Sequence, residues 1–170
     1  MTPTVIPSVE YRVSGDCYSP LENDMVRGSC LCGGIKFEVA RVLDLFELCH
    51  CNRCRKATGS AFTACVAVRP ADVRFVQGKD LITTYDAPIL DSPPAYRTSF
   101  CSRCGSPVPD PTATGPWFKI DAGALDDDPG VRPQRHICVE LKSPWFEIAD
   151  GLPALDMRST LELRRKLRLA

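Results

Sequence analysis

Gly28-Ser29-Cys30-Leu31-Cys32-Gly33-Gly34 sets two thiols one residue apart, and far down the chain Phe100-Cys101-Ser102-Arg103-Cys104-Gly105 sets two more in the C-x-x-C-G form of a zinc knuckle. In such turns backbone amides hydrogen-bond the thiolate sulfurs, and glycine lets the chain close around the ion. Two half-sites predict one whole site. Four thiolates at about 2.3 Å complete a tetrahedron with no open corner, which is how structural zinc behaves. An ion held by Cys30, Cys32, Cys101 and Cys104 staples early strands to late ones, and this decides the fold.

Between the two halves lies Cys49-His50-Cys51-Asn52-Arg53-Cys54, three thiols within six residues. A three-ligand site keeps one coordination position for water or substrate, the mark of catalytic zinc. Three thiolates over-neutralise Zn²⁺, so the site activates water weakly and prefers an incoming sulfur. Spacing alone also permits Cys30 and Cys32 to join Cys49 and Cys51, leaving Cys54 with the knuckle. The compactness of the triplet favours four plus three. A fourth donor that would close the triplet into a second structural site has to come from Cys17, Cys65, His136 or Cys138. Cys65 and Cys138 sit in apolar patterns and read as core. A strand-like backbone points His50 away from an ion shared by Cys49 and Cys51, toward solvent or a supporting hydrogen bond, where it can carry a proton. Arg53, Arg55 and Lys56 read equally well as an anchor for substrate carboxylates and as a solvated turn.

The rest of the chain is consistent with a small metal-stapled β protein. Its 170 residues suit one domain, and 44% hydrophobic with 25% charged residues is an ordinary globular balance. Lys plus Arg and Asp plus Glu are 21 each, so there is no overall field to attract nucleic acid or an anionic membrane. Neither is expected as a partner. A second copy of the chain remains admissible, through the basic C-terminal segment. Fifteen prolines and eleven glycines argue against a helical bundle and for short strands. The ten cysteines come without a basic n-region and apolar stretch in MTPTVIPSVEYRVSGDC, which predicts a cytoplasmic protein with reduced thiols. Short antiparallel strands are expected at residues 35–40, 62–68, 73–78, 96–101, 117–122 and 136–141. Two short helices are expected, one capped by Asn52 and closed by Gly59, the other over residues 156–169 with Glu162 facing Lys166. The Asp126 to Asp128 run reads as a solvated turn.

The three cysteine motifs resemble those of the glutathione-dependent formaldehyde-activating enzyme family, whose domain also occurs in centromere protein V. So do Arg55-Lys56-Ala57-Thr58-Gly59 after the triplet and the late Pro144-Trp145-Phe146. The resemblance covers residues 26–151. Residues 1–25 are left as an N-terminal extension and 152–170 as a C-terminal, helical segment. It implies a mainly β, β-tent zinc fold of short antiparallel sheets with few short helices. It also implies two zinc ions per chain, a structural one on Cys30, Cys32, Cys101 and Cys104 and a catalytic one on Cys49, Cys51 and Cys54. The implied activity is reversible addition of a small-molecule thiol, typically glutathione, to formaldehyde or a small aldehyde, a carbon–sulfur lyase reaction in the cleavage direction. Ser106-Pro107-Val108-Pro109 after the knuckle departs from the classical glutathione enzymes and is similar to the broader branch of the family. A zinc-stabilised binding module with two structural ions is the competing reading.

Overall fold

A computed structural model of the chain describes residues 25–88 and 96–166. In chain order the elements are β1 (Val26–Ser29), β2 (Lys36–Val39), β3 (Val42–Cys49), α1 (Asn52–Thr58), β4 (Thr63–Val68), β5 (Val73–Gln77) and β6 (Ile82–Asp86). They continue with β7 (Arg97–Cys101), β8 (Pro107–Val108), β9 (Phe118–Asp121), β10 (Arg135–Ile137), β11 (Ala154–Leu155) and α2 (Met157–Lys166). Cys17 and the expected N-terminal extension up to residue 24 lie outside the described residues, as does the end of the expected C-terminal helix.

Three small sheets result, ordered β1-β2-β5, β11-β10-β3-β4-β9 and β6-β7-β8. The molecule is mainly β, as expected, but the central sheet is mixed rather than antiparallel throughout. β10 runs parallel to both β3 and β11. Parallel neighbours need long connections, and here β10 reaches β3 from a distant part of the sequence while residues 138–153 carry the chain from β10 to β11.

The pleat of the central sheet separates packing from chemistry. Phe46 and Leu48 of β3, Val66 and Val68 of β4 and Ile120 of β9 face Phe37 and Val39 of β2 in the main core. Each such large side chain stabilises the fold by about 1.5–3 kcal/mol when fully buried. Their alternate neighbours turn to the other face. There, register aligns Arg135, Glu47, Cys65 and Asp121 in one row and Ile137, Cys49 and Thr63 in the next. A sheet residue and its cross-strand partner share a face, so thiols, carboxyls and a hydroxyl converge on one side.

Both expected helices form, with different caps. The N-cap of α1 is Cys51, whose Sγ accepts from the Cys54 amide at 3.4 Å. Asn52 instead accepts from Arg55 Nη2 at 2.5 Å. Gly59 ends the helix in the left-handed region at φ 65°, its N–H donating to the Arg55 carbonyl. Asp156 caps α2 by accepting from the Ser159 amide at 2.7 Å. Glu162 pairs with Arg158 one turn back, at 3.3 Å, in place of the expected Lys166. Arg164 reaches the central sheet, where Glu47 accepts both from it and from Lys119, each at 2.6 Å. Burial opposes ionisation of Glu47, and the two cations more than offset it, holding the carboxyl below its ordinary range.

Candidate active site

Seven of the nine described cysteines gather as four plus three. Sγ atoms of Cys30, Cys32, Cys101 and Cys104 all lie within 4.8 Å of one another, as do those of Cys49, Cys51 and Cys54. In the first group Cys30 and Cys32 are 3.5 Å apart and Cys32 and Cys101 are 3.8 Å apart. A sulfur tetrahedron at about 2.3 Å from zinc has edges of about 3.8 Å, so the donor set fits such an ion. The Ile35 amide donates to Cys30 Sγ at 3.2 Å, and the Ser106 hydroxyl and amide draw Cys104 down to about 5. This is the turn chemistry that thiolate ligation requires.

The second group is built where β3 ends and α1 begins. Cys49 comes from the polar face of β3, Cys51 from the helix cap and Cys54 from the first turn. Hydrogen bonds to Cys138, then Cys51 and Cys54, pull the Cys49 thiol far below its ordinary range. Of the other donors considered, His136 is turned away, while Cys65 Sγ lies 3.6 Å from the Thr63 carbonyl and is pushed up to about 12 by burial. Cys138 differs from its expected place in a strand core. It follows β10 in the left-handed conformation, at φ 56°, and its thiol meets Cys49 without coming within 4.8 Å of all three. Sequence gave no sign of this, because glycine or asparagine normally takes that conformation.

His50 points away from the three thiols, as the strand alternation predicts, yet into the interior rather than to solvent. It is 0% exposed and packs against the rings of Phe62 and Phe146, which also touch each other. Its Nε2 is 2.7 Å from His136 Nδ1, and His136 Nε2 is 2.9 Å from Asp150 Oδ2. This chain of contacts ties β3 to β10 and fixes the backbone that aims Cys49 and Cys51. Arg55 is likewise engaged locally, donating to Ser143 and Asn52. The acidic turn is more structured than expected: Asp127 accepts from the Arg27 amide and twice from its guanidinium, Asp126 takes the Ser29 hydroxyl and Asp128 takes Arg132.

A cleft of about 560 Å³ opens beside the second group, with Cys54, Thr63, Cys65, Tyr96, Lys119 and Asp121 in its wall. Thr63 Oγ1 donates to the Cys54 carbonyl at 3.1 Å, joining β4 to α1 at the cleft. Burial, then Cys54 and Asp121, push the Tyr96 hydroxyl above the phenol range, so it remains a donor. Burial alone lifts Asp121 to about 6.

The class that fold and site define is a mainly β chain with one set of four thiols and one of three beside a polar cleft, each set able to hold a metal ion. Within that class the chain belongs to the glutathione-dependent formaldehyde-activating enzyme family, whose model matches residues 25–140. It is 34% identical over 131 residues to a Halomonas elongata protein provisionally named a glutathione-dependent formaldehyde-activating enzyme, covering 73% of this chain and 81% of that one. A crystal structure of a Rhodobacter sphaeroides protein is similar at a TM-score of 0.45 and 21% identity, over 76% of this chain and 98% of that one.

Proposed function

We propose that the protein catalyses reversible addition of a small thiol, glutathione or a relative, to formaldehyde or another small aldehyde, and so acts as a carbon–sulfur lyase in reverse. The observation that carries this reading is the three-thiol group with Cys54 in the wall of a cleft large enough for a small peptide thiol. Cys49, Cys51 and Cys54 would hold a zinc ion, and Cys30, Cys32, Cys101 and Cys104 a second, structural one. Zinc in the three-thiol site supplies a Lewis acid that favours the thiolate form of a substrate thiol. The chain's own part is positional. The Cys54 amide fixes Cys51, the His50 and His136 contact fixes the strand end, and the cleft brings thiol and carbonyl together, converting a collision into an oriented step. The nine described cysteines are all free thiols, a state that the reducing cytoplasm preserves.

The test is replacement of Cys51 or Cys54 by serine. A folded variant is expected to lose catalysed formation of the thiol–formaldehyde adduct; undiminished turnover refutes the reading. The Cys138 thiol beside Cys49 favours a second reading, in which it closes the site and the fold is a zinc-stabilised binding module. That reading requires four sulfur ligands at both ions by X-ray absorption and no change in either when glutathione is added.

A further inference from the structure

We infer that Asp121 is the proton carrier of this cleft, taking the proton of the incoming thiol and returning it to the alkoxide formed from the aldehyde. The inference rests on the proposed addition reaction and assigns it a residue on a different element from the cysteines.

Placement comes first. Asp121 ends β9 directly opposite Cys65, on the polar face of the central sheet, one row from the Cys49 and Thr63 pair. Its side chain lines the cleft together with Cys54 and Tyr96. A substrate that reaches Cys54 through the cleft therefore shares its wall with Asp121.

Availability comes second. The other acids near this space are already engaged. Glu47 accepts from Lys119 and Arg164, and Asp110 accepts from the Thr112 amide and hydroxyl at 2.8 and 2.7 Å. The Asp121 side chain makes no hydrogen bond or ion pair among the described residues, although it is half-buried. Lys119, two residues earlier on the same face, is turned to Glu47. A carboxyl that nothing holds, in the wall of a cleft, is free to exchange its proton with a ligand. Its affinity for that proton, lifted to about 6 by burial, suits exchange in both directions near neutral pH.

The step balances. In its ionised form Asp121 accepts the S–H proton, the sulfur electron pair attacks the carbonyl carbon, and the C=O π pair becomes an alkoxide. The Asp121 carboxyl then returns the proton to that oxygen, giving RS–CH₂–OH and restoring the carboxylate. The Tyr96 hydroxyl, in the same wall, is placed to donate to the alkoxide meanwhile. No oxidant, reductant or further reactant is needed. The titratable and charged groups that share the cleft wall with Asp121 are Cys65 from β4, Lys119 from β9, Tyr96 and Arg97 at the start of β7, Asp110 after β8 and Cys54 from α1, and Glu47 of β3 stands in the same sheet row.

The test compares wild type, Asp121→Asn and Asp121→Glu, each with its metal content and thermal unfolding measured. Adduct formation is followed from pH 5 to 8 with glutathione and formaldehyde. The wild-type rate is expected to rise with pH through a midpoint near 6. Asp121→Asn is expected to keep its metal, to lose about 10²-fold or more in rate and to lose that limb, which Asp121→Glu restores in part. In ¹³C-carboxyl spectra of the metal-loaded protein one aspartate is expected to titrate near 6, and its signal to vanish in Asp121→Asn. If wild type is active and Asp121→Asn keeps both rate and limb, this inference falls and the proposed reaction stands. An Asp121→Asn variant that loses its metal along with its rate also overturns the inference, by showing a structural role. An inactive, metal-loaded wild type brings down the reaction and the inference together.

Discussion

At the scale of single residues, Asp121 joins chemistry to stability. Its carboxyl titrates near 6 in the folded protein and near 3.8 in the unfolded chain, so between those values the folded state holds more protons. Stability from this group is complete below pH 3.8 and is lost as pH rises through 6. Asp121→Asn is therefore expected to be more stable than wild type at pH 8 by up to about 3 kcal/mol, with the gap closing toward pH 4; urea unfolding at the two pH values measures it. A gain in stability on removing a reactive group is the usual trade at a working site. The thiol groupings were legible in the sequence because each half is local, two or three cysteines within a single turn. Asp121, Tyr96 and Cys138 were not: sheet register brings Asp121 to the cleft, Tyr96 joins it from just ahead of β7, and an unusual backbone angle turns Cys138 to Cys49.

At the scale of elements, β3 shows what hides a strand. Val42-Leu43-Asp44-Leu45-Phe46-Glu47-Leu48-Cys49 has no clean alternation, since residues 45–49 are buried on both faces and the register shifts between Val42 and Phe46. Half-exposed β2 announced itself and the most central strand did not. β11 was obscured for another reason: a strand of two residues carries too little pattern to read, while the strand expected at 136–141 proves to be only Arg135–Ile137. Space is tight at Gly78, which follows β5 at φ 70° and whose added Cβ would lie 2.1 Å from the Gly34 carbonyl oxygen. Neither contact partner is a flexible side chain, and both neighbour the Cys30 and Cys32 turn. Gly78→Ala is expected to cost about 3 kcal/mol, from left-handed strain plus overpacking. It should also weaken metal retention by the four-thiol group, as read by chelator competition.

At the scale of the whole molecule, α2 is fastened to the central sheet by one carboxylate. Glu47 is 1% exposed and is shared by Lys119, from the edge strand, and Arg164, which also lies over the Trp117 ring at 5.7 Å. Removing one member of such a group leaves charge without compensation. Glu47→Ala is expected to destabilise the protein by about 3 kcal/mol in thermal unfolding and to open cleavage sites in α2 under limited proteolysis. Because the folded carboxyl is held below its ordinary range, the triad's contribution is present at neutral pH and fades as pH falls through that lowered value. No helix among the described residues is long and apolar enough to cross a membrane. The overall class was legible at this scale, since proline, glycine and cysteine content excludes most alternatives. The parallel pairings were not, because nothing local says which distant strand a short segment will join.

The four-thiol group draws its members from two ends of a long chain segment, and this sets a schedule for biosynthesis. A ribosome that has released Cys30 and Cys32 has made only half of a chelate, and the other half does not exist until translation has passed Cys104. The triplet, by contrast, is complete as soon as Cys54 emerges. During synthesis the nascent polypeptide therefore completes its three-thiol group well before its four-thiol one.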